Sequence, residues 1–504
     1  MSTHPTEVFP TVRLSHTSAY LQPDQLDWID RTICVYLILP VFLFCLWFIT
    51  PVAIVLLALT GFGTWHALRN HAPQASSIHS FAWLIFILAL SFAWVALAGV
   101  GHFFYANADW LIRDAVLHDL SCAGWPPTYT DDSASSLILR APVGYYLPAA
   151  AAGYLFGLKI ANYALYAWTV LGWALTLIGA CSLFKTRTQR ITCLLVVSLF
   201  GGMDLLGYVW GERHLPSLGQ HIEWWALFAQ YSSNTTLLFW VPNHALSAWL
   251  PTILILRHWQ SPKLAKMTPL LTAAIPLWSP LAAIGLFPFF LFGLSWKRDA
   301  KILFFARTSL PFAPIAAATI LYLGMDAASV PHGWQISLSL PHMLAFTYRY
   351  ALFCLLEFGM AALILARISR FEAPLYVSLS ILALLPLYYY GGGNDLAMRA
   401  SIPALLVLAL AIVTPLTERP RTIWHSLLII TLLIGALGAL QEPARAVITA
   451  RWENTPMSIP ESVKAWDSNS KTLYPSHYFA KQSSNIMNTI MRKSHSSCNE
   501  KKEK

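Results

Sequence analysis

Apolar runs of about 20 residues recur from residue 32 to residue 441, broken only by short polar loops. Few folds accommodate that pattern. At 1.5 Å per residue each helical run crosses the roughly 30 Å hydrocarbon layer of a bilayer. A backbone in hydrocarbon must satisfy its own polar groups, so the runs are read as helices. The expected class is an all-α polytopic membrane protein. Charged residues make up only 11% of the chain, against about 25% in soluble domains.

The runs divide into a hairpin of spans at 32–49 and 51–68, turning near Pro51, and then 81–104, 162–184, 191–209 and 236–256. A short pair within 268–296 follows, then 302–323, 343–366, 374–390, 398–416 and 423–441, which makes about 13 spans. A polar segment, 1–31, precedes this 32–441 transmembrane domain, and a polar tail, 442–504, follows it. No cleavable signal peptide is expected, because Met1 to Arg31 is polar and the first apolar run is a span.

The net charge of +9 is not a nucleic-acid footprint, because most Lys and Arg sit in short loops between spans. Segments on one side of the membrane carry about 16 of them, among them Arg31, Arg69, Lys185, Arg257, Lys297, Arg367 and Arg419. Short loops on the other side carry about four: Arg113, Arg140, Lys159 and Arg213. Positive loops stay in the cytoplasm, so the N-terminus is expected inside and the tail outside, in a bacterial inner membrane. Five of the seven cysteines fall in apolar spans and read as buried thiols. Cys122 and Cys498 are left without a redox assignment.

The first large outer loop, 105–161, holds the densest acidic run: Asp109, Asp114, Asp119, Asp131 and Asp132. Asn107 can cap a helix near Asp109, with Asp109 in its first turn. On that helix Asp109 meets Arg113 and Asp114 meets His118 at i,i+4, while Ile112, Val116 and Leu120 form an apolar stripe. A juxtamembrane helix with its acids toward water or a cavity is expected. A solvated helix with two local ion pairs is the alternative. One crossing at 162–184 suffices to return the chain inside, so 142–160, with Pro142, Pro148, Tyr145, Tyr146 and Tyr154, belongs in the outer interface or re-enters.

A span running into an Asp-bearing juxtamembrane helix, then Arg140-Ala141-Pro142-Val143-Gly144-Tyr145-Tyr146-Leu147, then Phe156-Gly157 and a returning span beginning at Asn162, resembles the GT-C superfamily. These are lipid-linked-sugar-dependent membrane glycosyltransferases, and the likeness is to the branch of the protein O-mannosyltransferases and the lipid A aminoarabinose transferase. It covers roughly residues 81–184, with Arg-Ala-Pro standing where that branch has His-Pro-Pro. The resemblance implies a polyprenyl-phosphate-linked sugar donor, a glycan, lipid or protein acceptor, and an inverting transfer at the outer face. It also implies Asp109 as general base, with Asp114 orienting the acceptor or serving as the alternative base. Arg suits the leaving phosphate through its planar fork. Arg399, which follows Gly391–Gly393, Asn394 and Asp395 at the outer end of a span, is the first candidate, and Arg140 the second. A snorkelling anchor is the other reading of Arg399.

The second outer loop, 210–235, lies in a longer constellation, 201–249, with Asp204, Glu212, His214, His221, Glu223, Trp224, Trp225, Asn243 and His244. Paired Trp beside acid and amide groups suits sugar-ring stacking and hydroxyl recognition, though an aromatic belt has the same composition. Asn243 and His244 lie within a span, where polar groups line cavities. Substrate contacts are accordingly expected from Tyr145, Tyr146, Glu223, Trp224, Trp225, Asn243, His244 and Asp395. No cofactor and no metal is expected, since the His and acid groups share no ligand spacing on one helix; a divalent cation is the alternative they leave open. The Asn234-Thr235-Thr236 sequon reads as incidental. Two rivals remain. A transporter or flippase of a lipid-linked solute would use Arg349 and Glu357 inside span 343–366. A surface-polysaccharide polymerase or ligase would place its largest functional loop late in the chain.

Overall fold

The computed structural model describes residues 26–69, 80–130, 136–295, 299–300, 302, 307–327, 330–335, 340–418, 422–466, 478–481 and 486–493. Asp131 and Asp132 lie outside these, as does Cys498. Among the described residues 71% are helical, and the five strands there, three or four residues long, lie in loops.

Among the described residues, seven helical stretches are long and apolar enough to cross a bilayer. They are α1 (Trp28–Cys45), α2 (Thr50–Leu68), α6 (Leu158–Cys181), α7 with α8 (Arg187–Leu199, Asp204–Glu212), α14 with α15 (Leu340–Cys354, Met360–Ile368), α17 with α18 (Asp395–Ala400, Ile402–Thr417), and α19 with α20 (Ile423–Ala439, Gln441–Ile448). Shorter apolar helices are α3 (Phe81–Leu97), α5 (Leu147–Phe156), α12 (Pro280–Gly293), α13 (Ala313–Gly324) and α16 (Ala373–Leu384). The remainder are α4 (Trp110–Cys122), α9 (Asn234–Trp240), α10 (Pro242–Arg257), α11 (Pro262–Trp278), α21 (Ile459–Trp466) and α22 (Ile486–Ile490).

Local chemistry sets the ends. Asp27 and Asp30 form a capping box at α1, and Thr186 and Gln189 form one at α7. Ser279 closes α11 and caps α12, where Pro280 opens the helix. The run expected as one span at 236–256 breaks at Val241–Pro242 into α9 and α10, because Pro242 has no N–H to continue the ladder.

Helices α10, α11 and α18 are almost wholly buried, whereas α2 and α19 present apolar side chains outward, such as Ile54 and Leu433. An exposed surface of that kind is the inverse of a soluble protein's. At one end of the bundle Arg257 bonds Asp27 and, at 2.9 Å, Asp30, with Ser182 also within its reach. His258 Nε2 lies 2.9 Å from Asp30.

The opposite end gathers the first loop and the tail. Strands β1 (Thr128–Thr130), β2 (Ser136–Leu139) and β5 (Phe479–Lys481) form one antiparallel sheet, with Ile138 opposite both Thr128 and Ala480. The tail thus folds back onto the loop. Ile490 O accepts from Ile49 N at the α1–α2 turn, and α21 packs on α4. A second ribbon pairs β3 (His332–Trp334) with β4 (Tyr388–Tyr390).

Candidate functional site

Helix α4 forms where the sequence suggests, but it starts at Trp110 with Asp109 as its N-cap residue and no side-chain cap, and it is covered. Asn107 Oδ1 accepts from Asp109 N at 3.1 Å, while its Nδ2 donates to Phe239 O at 2.8 Å, fixing the entry to the helix on α9. Asp109 meets Arg113 at 3.5 Å. The expected Asp114–His118 pair does not form. Asp114 instead bonds His102 Nε2 at 2.8 Å, and His118 turns to Asp119 at 3.0 Å. Both acids are buried with the apolar stripe, because the tail lies over them: Trp452 stacks edge-on against His102, and Ile459 N donates to Asp119. Burial pushes the Asp114 carboxyl up, and the hydrogen bond and charge of His102 pull it back only in part.

A cavity of about 1080 Å³ opens beside α4. Of the residues expected at the site, Asp109, Arg140, Tyr146, Asn243, His244, Asp395 and Arg399 line it. Their carriers are five separate segments: α4, the 140–146 turn, α10, α17 and, through Tyr388 and Tyr390, β4. Asp109 is more open than Asp114, with its side chain 36% exposed against 7%, and as open as Asp395. Arg113 is the organising cation. It donates from Nη1 to Asn243 Oδ1 at 3.0 Å and to Tyr146 Oη at 3.2 Å. His244 Nδ1 lies 2.7 Å from Ser279 Oγ.

Arg399 pairs with Asp395 one turn earlier on α17. Of the three glycines before it, one has a steric reason. Gly391 sits at φ +86°, and a Cβ there would lie 2.2 Å from Asp395 Oδ2. Asn394, at φ +54°, caps α17 through Ala397 N and donates to Phe228 O at 3.1 Å. The cavity holds three arginines (Arg113, Arg140, Arg399) against two aspartates (Asp109, Asp395), one net positive charge before any ligand enters. Its other wall is apolar, with Pro276, Pro280, Leu281, Ile284, Ile320 and Leu323. The tail closes it through Val463, Trp466 and Tyr478.

Five expected residues lie away from this cavity. Asp114 pairs with His102, and Tyr145 bonds Thr169 at 2.6 Å in the interior. Glu223 accepts from Ser233 N, Thr236 Oγ1 and Gln230 Nε2, which makes it an anchor for the second loop. Trp225 donates to Glu357 Oε1 at 2.8 Å, and Trp224 also stands outside the cavity lining. Asp204 lies near the π-turn that carries Glu357, Leu355–Gly359, and is fully buried. Asn234 is 0% exposed and donates to Val197 O, so the sequon is closed to a glycan. Arg349 is exposed on α14.

Sequence reasoning missed Arg113 as a cavity residue, together with Tyr388, Tyr390 and Tyr478. Arg113 is the one with a signal, an Arg one turn after the acid on a helix already singled out. Among the described residues, one cluster has metal-ligand geometry, His118, Asp119 and Cys122. Cys122 is disulfide-bonded, so no thiolate is available there. No family model, curated protein or solved structure matches the chain.

Proposed function

We propose that the protein is a GT-C-type membrane glycosyltransferase that moves a sugar from a polyprenyl-phosphate donor to an acceptor hydroxyl at the outer face of a bacterial inner membrane. The observation that carries this reading is the two-sided cavity. One wall has two aspartates and three arginines, and the other is apolar. That division suits an amphiphile whose phosphate meets arginine and whose chain runs along the apolar wall into the bilayer.

In the proposed reaction the acceptor oxygen attacks the anomeric carbon from the face opposite the phosphate, and the configuration inverts. The anomeric C–O bond to the phosphate breaks with its electron pair, and polyprenyl phosphate leaves. The acceptor proton passes to the Asp109 carboxylate. Arg399, Arg140 and Arg113 receive the phosphate charge. Asp114, bonded to His102, holds α4 in place, and Asn243 and Tyr146 fix the Arg113 fork. The chemistry needs no cofactor or metal.

Thirteen crossings also fit the contacts. Taking α9 with α10 and α14 with α15 as single spans, and α5 as interfacial, the chain ends alternate between two faces. Arg257 and Ser182 meet at one, while Gly144 N bonds Leu277 O, and Arg140 bonds Leu323 O, at the other. With positive loops inside, the N-terminus is cytoplasmic and the tail outside.

The test is transfer from a radiolabelled polyprenyl-phosphate sugar in membranes carrying Asp109→Asn. Transfer should fall about 1000-fold, the scale of a lost general base, with insertion unchanged. Wild-type yield would end the proposal. A flippase is favoured by one observation, the Asp204 and Glu357 carboxyls within spans. It predicts donor translocation in liposomes with no new glycosidic bond.

A further inference from the structure

The mouth of the cavity carries an aromatic face that the transfer chemistry does not use. In the β3–β4 ribbon His332 stands opposite Tyr390, and Trp334 opposite Tyr388. Side chains alternate between the two faces of a strand, so these four rings share one face, and Gly333 and Tyr389 take the other. The Trp334 and Tyr388 ring centroids lie 5.2 Å apart, and His332 lies 6.1 Å from Tyr390 and 6.4 Å from Tyr388. The ribbon is held at both ends, by Gly391 N to Pro331 O at 2.8 Å and by Gln335 N to Leu387 O at 2.9 Å. His332 Nδ1 donates to Val330 O at 2.9 Å, which leaves Nε2 as an acceptor.

Three features separate this face from an ordinary aromatic belt. Trp334 is 72% exposed, whereas its partners Tyr388 and Tyr390 are half-buried and form part of the cavity wall with Val330. The rings sit on a fixed ribbon, whose second strand follows the helical segment that ends at Leu387, and not on a helix itself. Two of the four rings, Tyr388 and Tyr390, line the same cavity as Asp109.

We propose that the ribbon is an acceptor subsite that stacks pyranose rings of a glycan. A pyranose offers a face of polarised C–H groups that fits the electron-rich face of Trp or Tyr, and its hydroxyls reach His332 Nε2 and the Tyr388 and Tyr390 hydroxyls. The rings are pre-arranged, so little side-chain entropy is lost on binding. This assignment rests on the glycosyltransferase reading and narrows its acceptor from glycan, lipid or protein to a glycan.

The experiment measures binding, not turnover. Full-length protein in nanodiscs is titrated with maltotetraose, cellotetraose, chitotetraose and mannotetraose by saturation-transfer NMR. At least one of these should bind, Trp334→Ala should weaken it about tenfold, and Trp334→Phe should restore most of the loss. The platform is read by binding and the general base by transfer, so a failed general-base reading and a failed platform give different results. The proposal is overturned if none of the four binds, or if Trp334→Ala binds unchanged. It is overturned also if brominated-lipid quenching present in wild type is lost in Trp334→Phe, which would place the ring among lipid tails.

Discussion

At the scale of single residues, the second loop holds a titration that the cavity does not. His221 Nδ1 lies 3.1 Å from Glu442, and Trp240 packs against its ring. Burial favours the neutral ring, but the Glu442 hydrogen bond and the charges of Glu223 and Glu442 outweigh it and raise the pKa above the ordinary 6.5. A raised folded value means that the stabilisation is complete below about pH 6.5 and is lost as pH climbs through the higher folded value. Thermal unfolding in detergent should therefore shift to lower temperature from about pH 6.5 upward, and His221→Gln should flatten that dependence. An equally steep profile in the variant would assign the effect to another group.

At the scale of elements, two helices set the position of the phosphate candidate. A Cβ on Gly285 of α12 would lie 2.1 Å from the Ala400 carbonyl oxygen at the end of α17. Gly285→Ala must therefore push α17, with Arg399 and Asp395, out of the wall. Transfer should fall about 100-fold, the scale of a 1 Å misplacement, while Gly211→Ala, with nothing within 4 Å of its Cβ, should be silent. Equal activity in the two would show that α17 tolerates the shift. The helices themselves were largely legible in the sequence, because apolar periodicity and length need no partner to be read. The Asp109–Arg113 contact was legible for the same reason, being local to one turn. Asp114 was misdirected because a residue 12 positions earlier, His102, outcompeted His118, and a local spacing rule carries no information about that turn. Tyr388, Tyr390 and Tyr478 were illegible as neighbours of Asp109, since chain separations of several hundred residues leave no periodic trace.

At the scale of the molecule, the two ends of the bundle differ in chemistry. Arg257, Asp27 and Asp30 close one, and the cavity and tail occupy the other. Under the proposed orientation, a cysteine at Glu453, exposed in the tail, should react with an impermeant maleimide in intact spheroplasts. A cysteine at Thr188, exposed at the start of α7, should react only after lysis. The reverse pattern would turn the protein over in the membrane. The β1–β2–β5 sheet has a further consequence, for the order of biosynthesis. Its first strand is made near residue 128 and its last near residue 481, so every span after α3 emerges from the ribosome in between. A nascent chain therefore carries Asp109 and all three arginines in the bilayer while one side of their cavity is still open. Strand addition by the last few dozen residues then acts as the closing stitch, so that a prematurely terminated chain is left without its lid.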